Sequence, residues 1–332
     1  MSSPPFTQQP PSGHGARLLG LVSLALVVSL ALALWLGSEP LTRSQWHQVI
    51  AGEAGVARDI VMQIRLPRAS AALACGGLLA LAGVLLQVLL RNPLADPYVL
   101  GISGGASVGV LVAMLLGTAA SVVPLTGFLG ALLAVLVVFG IGYRAGDWNL
   151  YRLLLTGVIL ASGFGALVSL LLVLAPDRAV KGMLFWLMGD LSSASHSWHA
   201  WLILLALGSI CTLFGGTLNV LSLGRDKAAS LGVPVSRAET ALYVAASLAT
   251  VTAVLLGGTI GFVGLIVPHL IRLLGIWDLR WLVPIAVLAG AALLCFADVL
   301  ARLAFAPLQL PVGVLTALLG VPLMLLLLGR RR

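Results

Sequence analysis

Long apolar runs, separated by short polar turns, occupy almost the whole of this 332-residue chain. A helix needs roughly 20 apolar residues to cross a bilayer, and the sequence divides at its charges, prolines and glycine pairs into about ten such runs. Only 9% of the residues are charged, whereas a soluble globular domain typically carries about 25%. The sequence therefore predicts an all-α, polytopic integral membrane protein with about ten transmembrane helices.

The predicted helices form one transmembrane domain, residues 17–332, behind a short N-terminal tail. They lie near residues 17–37, 68–90, 97–117, 121–143, 152–175, 198–220, 239–257, 261–275, 281–303 and 311–328. The eighth run is short and contains Pro268, so we expect it to cross only part of the membrane. Residues 1–16 are rich in Pro, Ser and Gln and are predicted to be a disordered cytoplasmic tail. The first apolar run has no small-residue cleavage site, which favours a retained helix over a cleaved signal peptide.

The distribution of basic residues predicts which side of the membrane each loop faces. With the N-terminus in the cytoplasm, twelve of the 19 Lys and Arg residues fall on the inner side and seven on the outer side. Because cytoplasmic loops carry the excess of positive charge, we expect both termini to be cytoplasmic. The net charge of +8 then reflects membrane topology, and no nucleic-acid partner is expected.

Residues 224–239, GRDKAASLGVPVSRAE, form a highly charged loop between two apolar runs. Each charged side chain would cost a few kcal/mol at the centre of a bilayer, so we expect the loop to lie in water on the cytoplasmic side. Asp226 is predicted to cap a short helix. This helix would contain Ala228, Ala229 and Leu231 and end at Gly232 and Pro234. Such a projecting helix is either a connector or a docking element for a soluble partner.

Small residues recur at four-residue spacing in the third and fifth predicted helices. They are Gly101, Gly105 and Gly109 in the third helix, and Gly157, Ala161 and Gly165 in the fifth. Small residues at this spacing let helix backbones approach closely in lipid, so tight packing is the simplest interpretation. A functional alternative is a solute path along these two helices, with serine hydroxyls as polar lining. The residues assigned to that path are Gly101, Ser103, Gly105, Ser107, Gly157, Ser162 and Gly165.

Charged side chains gather at the predicted outer ends of the helices. Arg65 and Arg68 flank a helix-starting proline, where they either reach the lipid head groups or await an acidic partner. Asp298 and Arg302, four residues apart in the ninth helix, are predicted to form an ion pair. The alternative for Arg302 is that it presents its side chain outward.

Two histidines, His196 and His199, stand three residues apart near the outer face. Imidazoles at this spacing can share one ligand, but the sequence supplies no third ligand such as a nearby Cys or Glu. Interface hydrogen bonding is therefore the preferred interpretation, and no metal site is predicted. Together with Asp190, the two histidines also raise the alternative of a membrane enzyme, for which the sequence offers proximity but no defined catalytic cluster.

The sequence lacks the motifs of a chain that binds ATP or is driven by an ion gradient. No G-x-x-x-x-G-K-[ST] phosphate loop occurs, so ATP binding by this route is excluded, and no catalytic residue is assigned. No carboxylate pair lies in a helix centre, which disfavours the alternative of a self-sufficient secondary transporter or channel. A nearly uncharged membrane interior suits bulky or chelated cargo better than bare ions.

Six segments, in this order along the chain, resemble the permease subunits of type II ABC importers that carry iron-siderophore chelates, haem or vitamin B12. They are RLPR (65–68), LAGVLLQVLLRNPLADPYVLGISGGA (81–106), FWLMGDL (185–191), GRDKAASLG (224–232), GTIGFVGLIVPHLIRLLG (258–275) and LPVGVLTALLGVPL (310–323). The resemblance covers about residues 65–328. It implies a type II ABC importer permease fold and a non-catalytic subunit that translocates an iron chelate. This chelate would be either a ferric siderophore or haem. Vitamin B12 (corrinoid) is the alternative cargo.

The resemblance also implies partners and a location. The subunit would work as a homodimer with two ATP-binding subunits and a substrate-binding protein, in the lipid of the bacterial cytoplasmic (inner) membrane. ATP and Mg would bind to the ATPase partner, and this chain would bind no cofactor. Cargo would pass from a periplasmic or extracellular binding protein to the cytoplasm.

Residue by residue, the resemblance implies three sites. The ATPase-coupling helix would comprise Arg225, Asp226, Lys227, Ala228, Ala229, Leu231 and Gly232. Arg65, Arg68 and Arg302 would meet glutamates of the binding protein, and cargo would follow the glycine-rich third and fifth helices along the dimer axis. The sequence departs from the commonest family pattern at residues 225–227, Gln309 and Met324, where an acidic pair, Glu and Phe are usual.

Overall fold

The computed structural model describes residues 13–144, 147–192, 197–306 and 308–329. The α-helices are α1 (His14–Trp35), α2 (Arg43–Ala51), α3 (Val56–Asp59), α4 (Leu66–Leu89), α5 (Ile102–Leu115), α6 (Val123–Gly142), α7 (Leu150–Leu174), α8 (Asp177–Leu187), α9 (Trp198–Leu213), α10 (Gly215–Ser222), α11 (Arg225–Ser230), α12 (Val235–Gly257), α13 (Val263–Leu273), α14 (Leu279–Leu303) and α15 (Val312–Gly329). A π-helical segment, Ile60–Arg65, precedes α4, and a 3-10 turn, Pro97–Leu100, precedes α5. A hairpin pairs β1 (Tyr143–Arg144) antiparallel with β2 (Asp147–Trp148).

The helices match the predicted transmembrane runs one by one. Within the described residues, α1, α4, α6, α7, α12 and α14 are long and apolar enough to cross a membrane. α9 and α10 together are long and apolar enough for a further span, with a bend of 67° at the break between them, and the shorter apolar helices α5, α13 and α15 account for the other runs. α13 has only 11 residues, which confirms that the eighth run is short. The all-α prediction with about ten transmembrane helices is confirmed.

Helix α4 lies at the centre of the bundle. Every residue from 71 to 89 is buried, and α14, α12, α13 and α9 pack around this helix. A helix that is apolar on all sides needs an apolar environment on all sides. For α4 that environment is other helices and not lipid.

Glycine permits the close approach of α4 to two of its neighbours. A Cβ atom on Gly76 would lie 2.2 Å from the carbonyl oxygen of Gly290 in α14. One on Gly83 would lie 1.9 Å from the carbonyl oxygen of Gly264 in α13. No side chain fits at such distances, so the backbones can meet only because these residues have none.

A proline inside α13 leaves a gap in its hydrogen bonding that α4 partly fills. Pro268 has no N–H, so the Gly264 carbonyl group lacks its usual helical partner. The side-chain amide nitrogen of Gln87 lies 3.5 Å from this oxygen and 3.3 Å from the Leu265 carbonyl oxygen. Gln87 also accepts a hydrogen bond from the Arg272 guanidinium near the end of α13. One polar residue of α4 thus binds α13 on both sides of its proline.

An irregular segment, residues 258–262, joins α12 to α13. Because α13 rises only about 16 Å, this segment lies within the thickness of the membrane. Gly258 and Phe262 both have positive φ angles, +72° and +71°. The backbone N–H of Ile260 donates to the Tyr98 hydroxyl at 2.8 Å. Irregular backbone at this depth is tolerated where protein groups satisfy it, as the Tyr98 hydroxyl does here.

We expect Gly83→Ala to destabilise the protein, because the new methyl group would collide with the backbone of α13. Overpacking of this kind typically costs about 1–3 kcal/mol. The measurement is the thermal unfolding midpoint of the protein purified in detergent. Gly208→Ala in α9 is the matched control, since nothing lies within 4 Å of a Cβ atom added there. Equal midpoints for the two variants would show that stability does not depend on the contact between α4 and α13.

Candidate sites at the two membrane faces

The charged loop predicted to dock a partner contains the short helix α11. Gly224 occupies its N-cap position, so Asp226 lies in the first turn and does not cap the helix as predicted. A carboxylate in the first turn still interacts favourably with the positive end of the helix dipole. The helix ends at Ser230, so Leu231 lies just beyond it and not within it as predicted, and Gly232 follows with a φ angle of +82° and donates its N–H to the Ala229 carbonyl oxygen.

One side of α11 packs against the protein and the other is exposed. Ala228 is fully buried, whereas Leu231, just beyond the helix, is 63% exposed. The other exposed residues here are Asp226, Lys227, Ala229, Ser230 and Gly232. These five residues and Leu231 form what we call the α11 surface. It combines a large apolar side chain with charges of both signs.

A buried carboxylate anchors α11 to the rest of the bundle. The side chain of Glu239, near the start of α12, is only 2% exposed. Its Oε1 lies 2.9 Å from Arg91 Nη2, and its Oε2 lies 3.4 Å from Arg225 Nη2. Arg91 follows α4 and Arg225 begins α11, so one carboxylate joins three elements. Sequence reasoning placed these charges on one side of the membrane but missed their contact, because Arg91 and Glu239 are 148 residues apart.

The β1–β2 hairpin braces the same region. The Trp148 carbonyl oxygen accepts a hydrogen bond from Arg225 Nη1 at 3.0 Å. The indole Nε1 of Trp148 donates to the Thr240 hydroxyl at 2.9 Å. The Trp148 ring centroid lies 5.2 Å from that of Tyr243, whose hydroxyl donates to the Val135 carbonyl oxygen at 2.7 Å. The start of α11 is therefore held both by α12 and by the hairpin.

At the opposite end of the bundle, the three predicted docking arginines lie inside the protein. Arg65, Arg68 and Arg302 are only 4%, 7% and 6% exposed. Arg68 and Arg302 share the Asp298 carboxylate, with N···O distances of 2.9 Å and 3.1 Å. Arg68 also donates to Gln309 Oε1 at 2.7 Å. The predicted ion pair between Asp298 and Arg302 is confirmed.

The other guanidinium hydrogen bonds hold the end of α1, whose last carbonyl groups have no partner within the helix. Arg65 and Arg302 donate to the carbonyl oxygens of Ala33, Leu34, Trp35, Leu36 and Glu39, at distances between 2.6 and 3.3 Å. Their role in docking a binding protein stays a prediction, and in this structure none of the three arginines faces outward. The physical reason is that Asp298 and the end of α1 supply the partners that water or a second protein would otherwise supply.

Some of the residues assigned to a solute path instead pack helices together. A Cβ atom on Gly105 of α5 would lie 2.3 Å from the Gly130 carbonyl oxygen of α6. One on Gly157 of α7 would lie 2.3 Å from the Val99 carbonyl oxygen of the 3-10 turn. These contacts agree with the packing interpretation of the glycine spacing, because neither glycine faces open space.

The remaining path residues divide between the interior and the surface. Gly101 and Ser107 are buried, and Ser103 is partly buried. Ser162 and Gly165 are exposed on α7. Only 6% of the residues in the most apolar 18-residue stretch of α7 are buried, so most of this helix is exposed to its surroundings. Among the assigned residues, Ser162 and Gly165 are therefore the ones placed to line an open surface.

Only one residue of the predicted histidine pair lies within the described residues. His196 lies outside the described residues, while His199 is exposed and its ring stacks on Trp198 with a centroid distance of 3.3 Å. Within the described ranges, no three His, Cys, Asp or Glu side chains come close enough to hold a metal ion. The cysteines are all buried and free.

A polytopic helical bundle that carries an anchored and exposed helix on one face has the architecture of a transporter's membrane subunit. Residues 25–330 match the FecCD transport family, and the chain belongs to this family. The chain is 38% identical over 334 residues to the uncharacterized ABC transporter permease protein YvrB of Bacillus subtilis (strain 168), with 96% of this chain and 94% of the relative covered. It is 38% identical over 321 residues to the vitamin B12 import system permease protein BtuC of Vibrio vulnificus (strain CMCP6), with 95% and 94% covered.

A solved structure agrees with these relatives. It shows an inward-facing conformation of a transporter described as metal-chelate type ABC, and it matches with a TM-score of 0.81 and 32% sequence identity. The match covers 95% of this chain and 99% of that chain. The protein is therefore an ABC importer permease of the FecCD and BtuC type, and the resemblance stated from the sequence motifs is confirmed.

We expect Asp298→Asn to destabilise the bundle, because an amide leaves the buried Arg68 and Arg302 without a counter-charge. Removing one partner from a buried ion pair typically costs about 3–5 kcal/mol. The unfolding midpoint in lipid nanodiscs measures the loss. Asp59→Asn, at an exposed carboxylate, is the control and should change the midpoint little. If both variants unfold at the wild-type midpoint, the arginine cluster does not depend on Asp298.

Proposed function

We propose that this chain is the membrane-spanning permease of an ATP-driven importer that carries an iron chelate, a ferric siderophore or haem, across the bacterial cytoplasmic membrane. The observation that carries this proposal is the α11 surface, an exposed helix tied to the bundle through Glu239 and Trp148. A loop that merely connects two spans gains nothing from such anchoring. A helix that must pass a force from a partner to the bundle requires it.

Two separate ATP-binding subunits are the proposed partners of the α11 surface. The exposed Leu231 provides an apolar anchor, and the adjacent Asp226 and Lys227 provide a polar rim, which is the usual composition of a protein interface. The sequence has no phosphate loop of its own, so the energy of ATP hydrolysis would have to enter through a second chain. ATP and Mg would bind there.

A second copy of this chain is the proposed partner of α7. Val158 and Ile159 on this helix are 52% and 61% exposed, and Ser162 and Gly165 are exposed beside them. No residue of α7 beyond Arg152 is charged. Two copies joined near this helix would enclose a path lined by small, apolar and hydroxyl-bearing side chains. A neutral lining of this kind suits a bulky chelate.

The proposed orientation places both termini and the α11 surface in the cytoplasm, following the excess of basic residues on that side. A substrate-binding protein would then dock at the opposite face, near Arg65, Arg68 and Arg302. Direct contact with these arginines would require a conformation in which they exchange their internal partners for carboxylates of the binding protein.

ATP binding would move the α11 surface and favour one of two packing arrangements of the helices that differ by a few kcal/mol.

Vitamin B12 is the alternative cargo. The identity to BtuC of Vibrio vulnificus favours a corrinoid, whereas the match to a metal-chelate type transporter favours metal chelates as a class, to which iron chelates belong. Both cargoes are large and metal-bearing, and the neutral face of α7 accommodates either. An iron chelate is the primary cargo that we propose, and uptake measurements distinguish it from a corrinoid.

We expect Ala229→Glu to weaken binding of the ATPase subunit by about tenfold or more, because the longer charged side chain obstructs the α11 surface. The measurement is the amount of ATPase subunit that co-purifies with the tagged chain from its native membrane. Ala54→Glu introduces the same residue at an exposed position on the opposite face and is the control. Recovery of no ATPase subunit with the wild-type chain, after mild cross-linking, would overturn the importer assignment.

We expect cells that lack this chain to lose uptake of a ferric siderophore or of haem, and to regain it when the wild-type gene is restored. Uptake of radioactive iron presented in each form, and of radioactive cyanocobalamin, is measured side by side. Complementation with the Ala229→Glu variant should fail, since cargo movement needs the ATPase. Loss of cyanocobalamin uptake alone would replace the iron-chelate proposal with the corrinoid alternative.

A further inference from the structure

Glu239 depends on two arginines that belong to different elements of the bundle. Its side chain is 2% exposed, whereas those of Arg91 and Arg225 are 27% and 29% exposed. A buried carboxylate is stable only while a counter-charge stays beside it, but a partly exposed guanidinium can be solvated by water. Displacing α11 without the turn after α4 would therefore strain this ion-pair group. The ion pairs of Glu239 with Arg91 and Arg225 are preserved when α11, α12 and the turn after α4 move together.

Arg91 begins a turn whose backbone shape is held by its own hydrogen bonds. Its φ angle is +49°, which is uncommon for a residue with a side chain. Asn92 Oδ1 accepts from the Leu94 N–H at 2.9 Å, and Asp96 Oδ1 accepts from the Tyr98 N–H at 2.8 Å. These bonds make the segment a stiff link between the end of α4 and the 3-10 turn.

The 3-10 turn, at the far end of this link, packs against α7. The Val99 carbonyl oxygen of the 3-10 turn lies against Gly157, where no Cβ atom would fit, and Leu100 next to it is fully buried. Packed elements without free space between them cannot slide past one another without disturbing their contacts. A shift of the 3-10 turn must therefore shift this part of α7, the helix whose other face is exposed.

We propose that Glu239 transmits movement of α11 to α7, through Arg91 and the 3-10 turn. The inference rests on the proposed function, because an ATPase subunit is needed to move α11. Glu239 acts in it as a positioning residue that touches neither ATP nor cargo. Without its carboxylate, the α11 surface would still bind the ATPase subunit, but α7 would no longer respond to ATP.

The test measures movement of α7 in the assembled transporter. A spin label is attached at Tyr151→Cys, a 75% exposed position in the first turn of α7, and the three native cysteines are buried away from the reagent. Pulsed electron paramagnetic resonance measures the distance between the two spin labels of the dimer. It is measured without nucleotide and again after ATP and vanadate are added to trap nucleotide on the ATPase subunits. The matched control is Thr250→Val, which removes a buried hydrogen bond about three turns further along α12.

In the Glu239→Gln complex we expect the fraction of molecules whose label distance responds to ATP to fall at least about fivefold. The Thr250→Val complex should respond like the wild type, and all three should bind equal amounts of ATPase subunit. A wild-type response in the Glu239→Gln complex would overturn the role of Glu239 and leave the importer assignment intact. No response in the wild-type complex, despite bound ATPase, would overturn the proposed mechanism and this inference together.

Arg91→Gln provides a second route if Glu239→Gln does not assemble. Arg91 is partly exposed, and its replacement leaves Arg225 beside Glu239, so the buried carboxylate keeps one counter-charge. The same loss of response is expected, and the double variant should lose no more than either single variant, because both act on one link. Additive losses, or a wild-type response in Arg91→Gln, would show that the link does not run through this pair.

Discussion

The enclosure of α4 by other helices is the constraint on which the rest of the structure depends. Lipid tails are as apolar as leucine, so hydrophobicity alone gives helices in a membrane little reason to associate. Close packing must supply the attraction, and Gly76 and Gly83 allow it by bringing the backbone of α4 against α14 and α13. With its surface covered, α4 becomes a rigid centre around which the other helices are arranged.

Ion pairs fasten this central helix near both of its ends. Arg68, in its first turn, meets Asp298 of α14, and Arg91, just after its last turn, meets Glu239 of α12. At each end one buried carboxylate serves two arginines, the second arginine being Arg302 or Arg225. A buried carboxylate with two guanidinium partners is costly to disturb, so these groups fix the register of helices that glycine packing alone would allow to slide.

The surfaces proposed for function lie outside this rigid centre. α7 and the α11 surface are both exposed on one side; α7 packs on α5, α6 and the 3-10 turn, with a close contact at Gly157, and the α11 surface is tied to the interior at Glu239. The short helix α13 and the irregular segment before it are supported by Gln87 and Tyr98. This division gives a transporter what it needs physically, namely a fixed frame and a small number of elements whose displacement is directed by defined links.

The sequence by itself determined the features that depend on local composition and spacing. Run lengths predicted the helices, the charges placed the loop 224–239 in water, and four-residue spacing predicted both the close helix contacts and the Asp298–Arg302 pair. Only the tertiary structure decided that Arg68 and Arg91 find carboxylates 230 and 148 residues away, and that Gly105 packs against α6. The physical reason is that an arginine at a helix end has the same local sequence whether it faces a partner, lipid or a distant buried carboxylate, and a glycine stripe has the same spacing whether it packs a neighbour or lines a path.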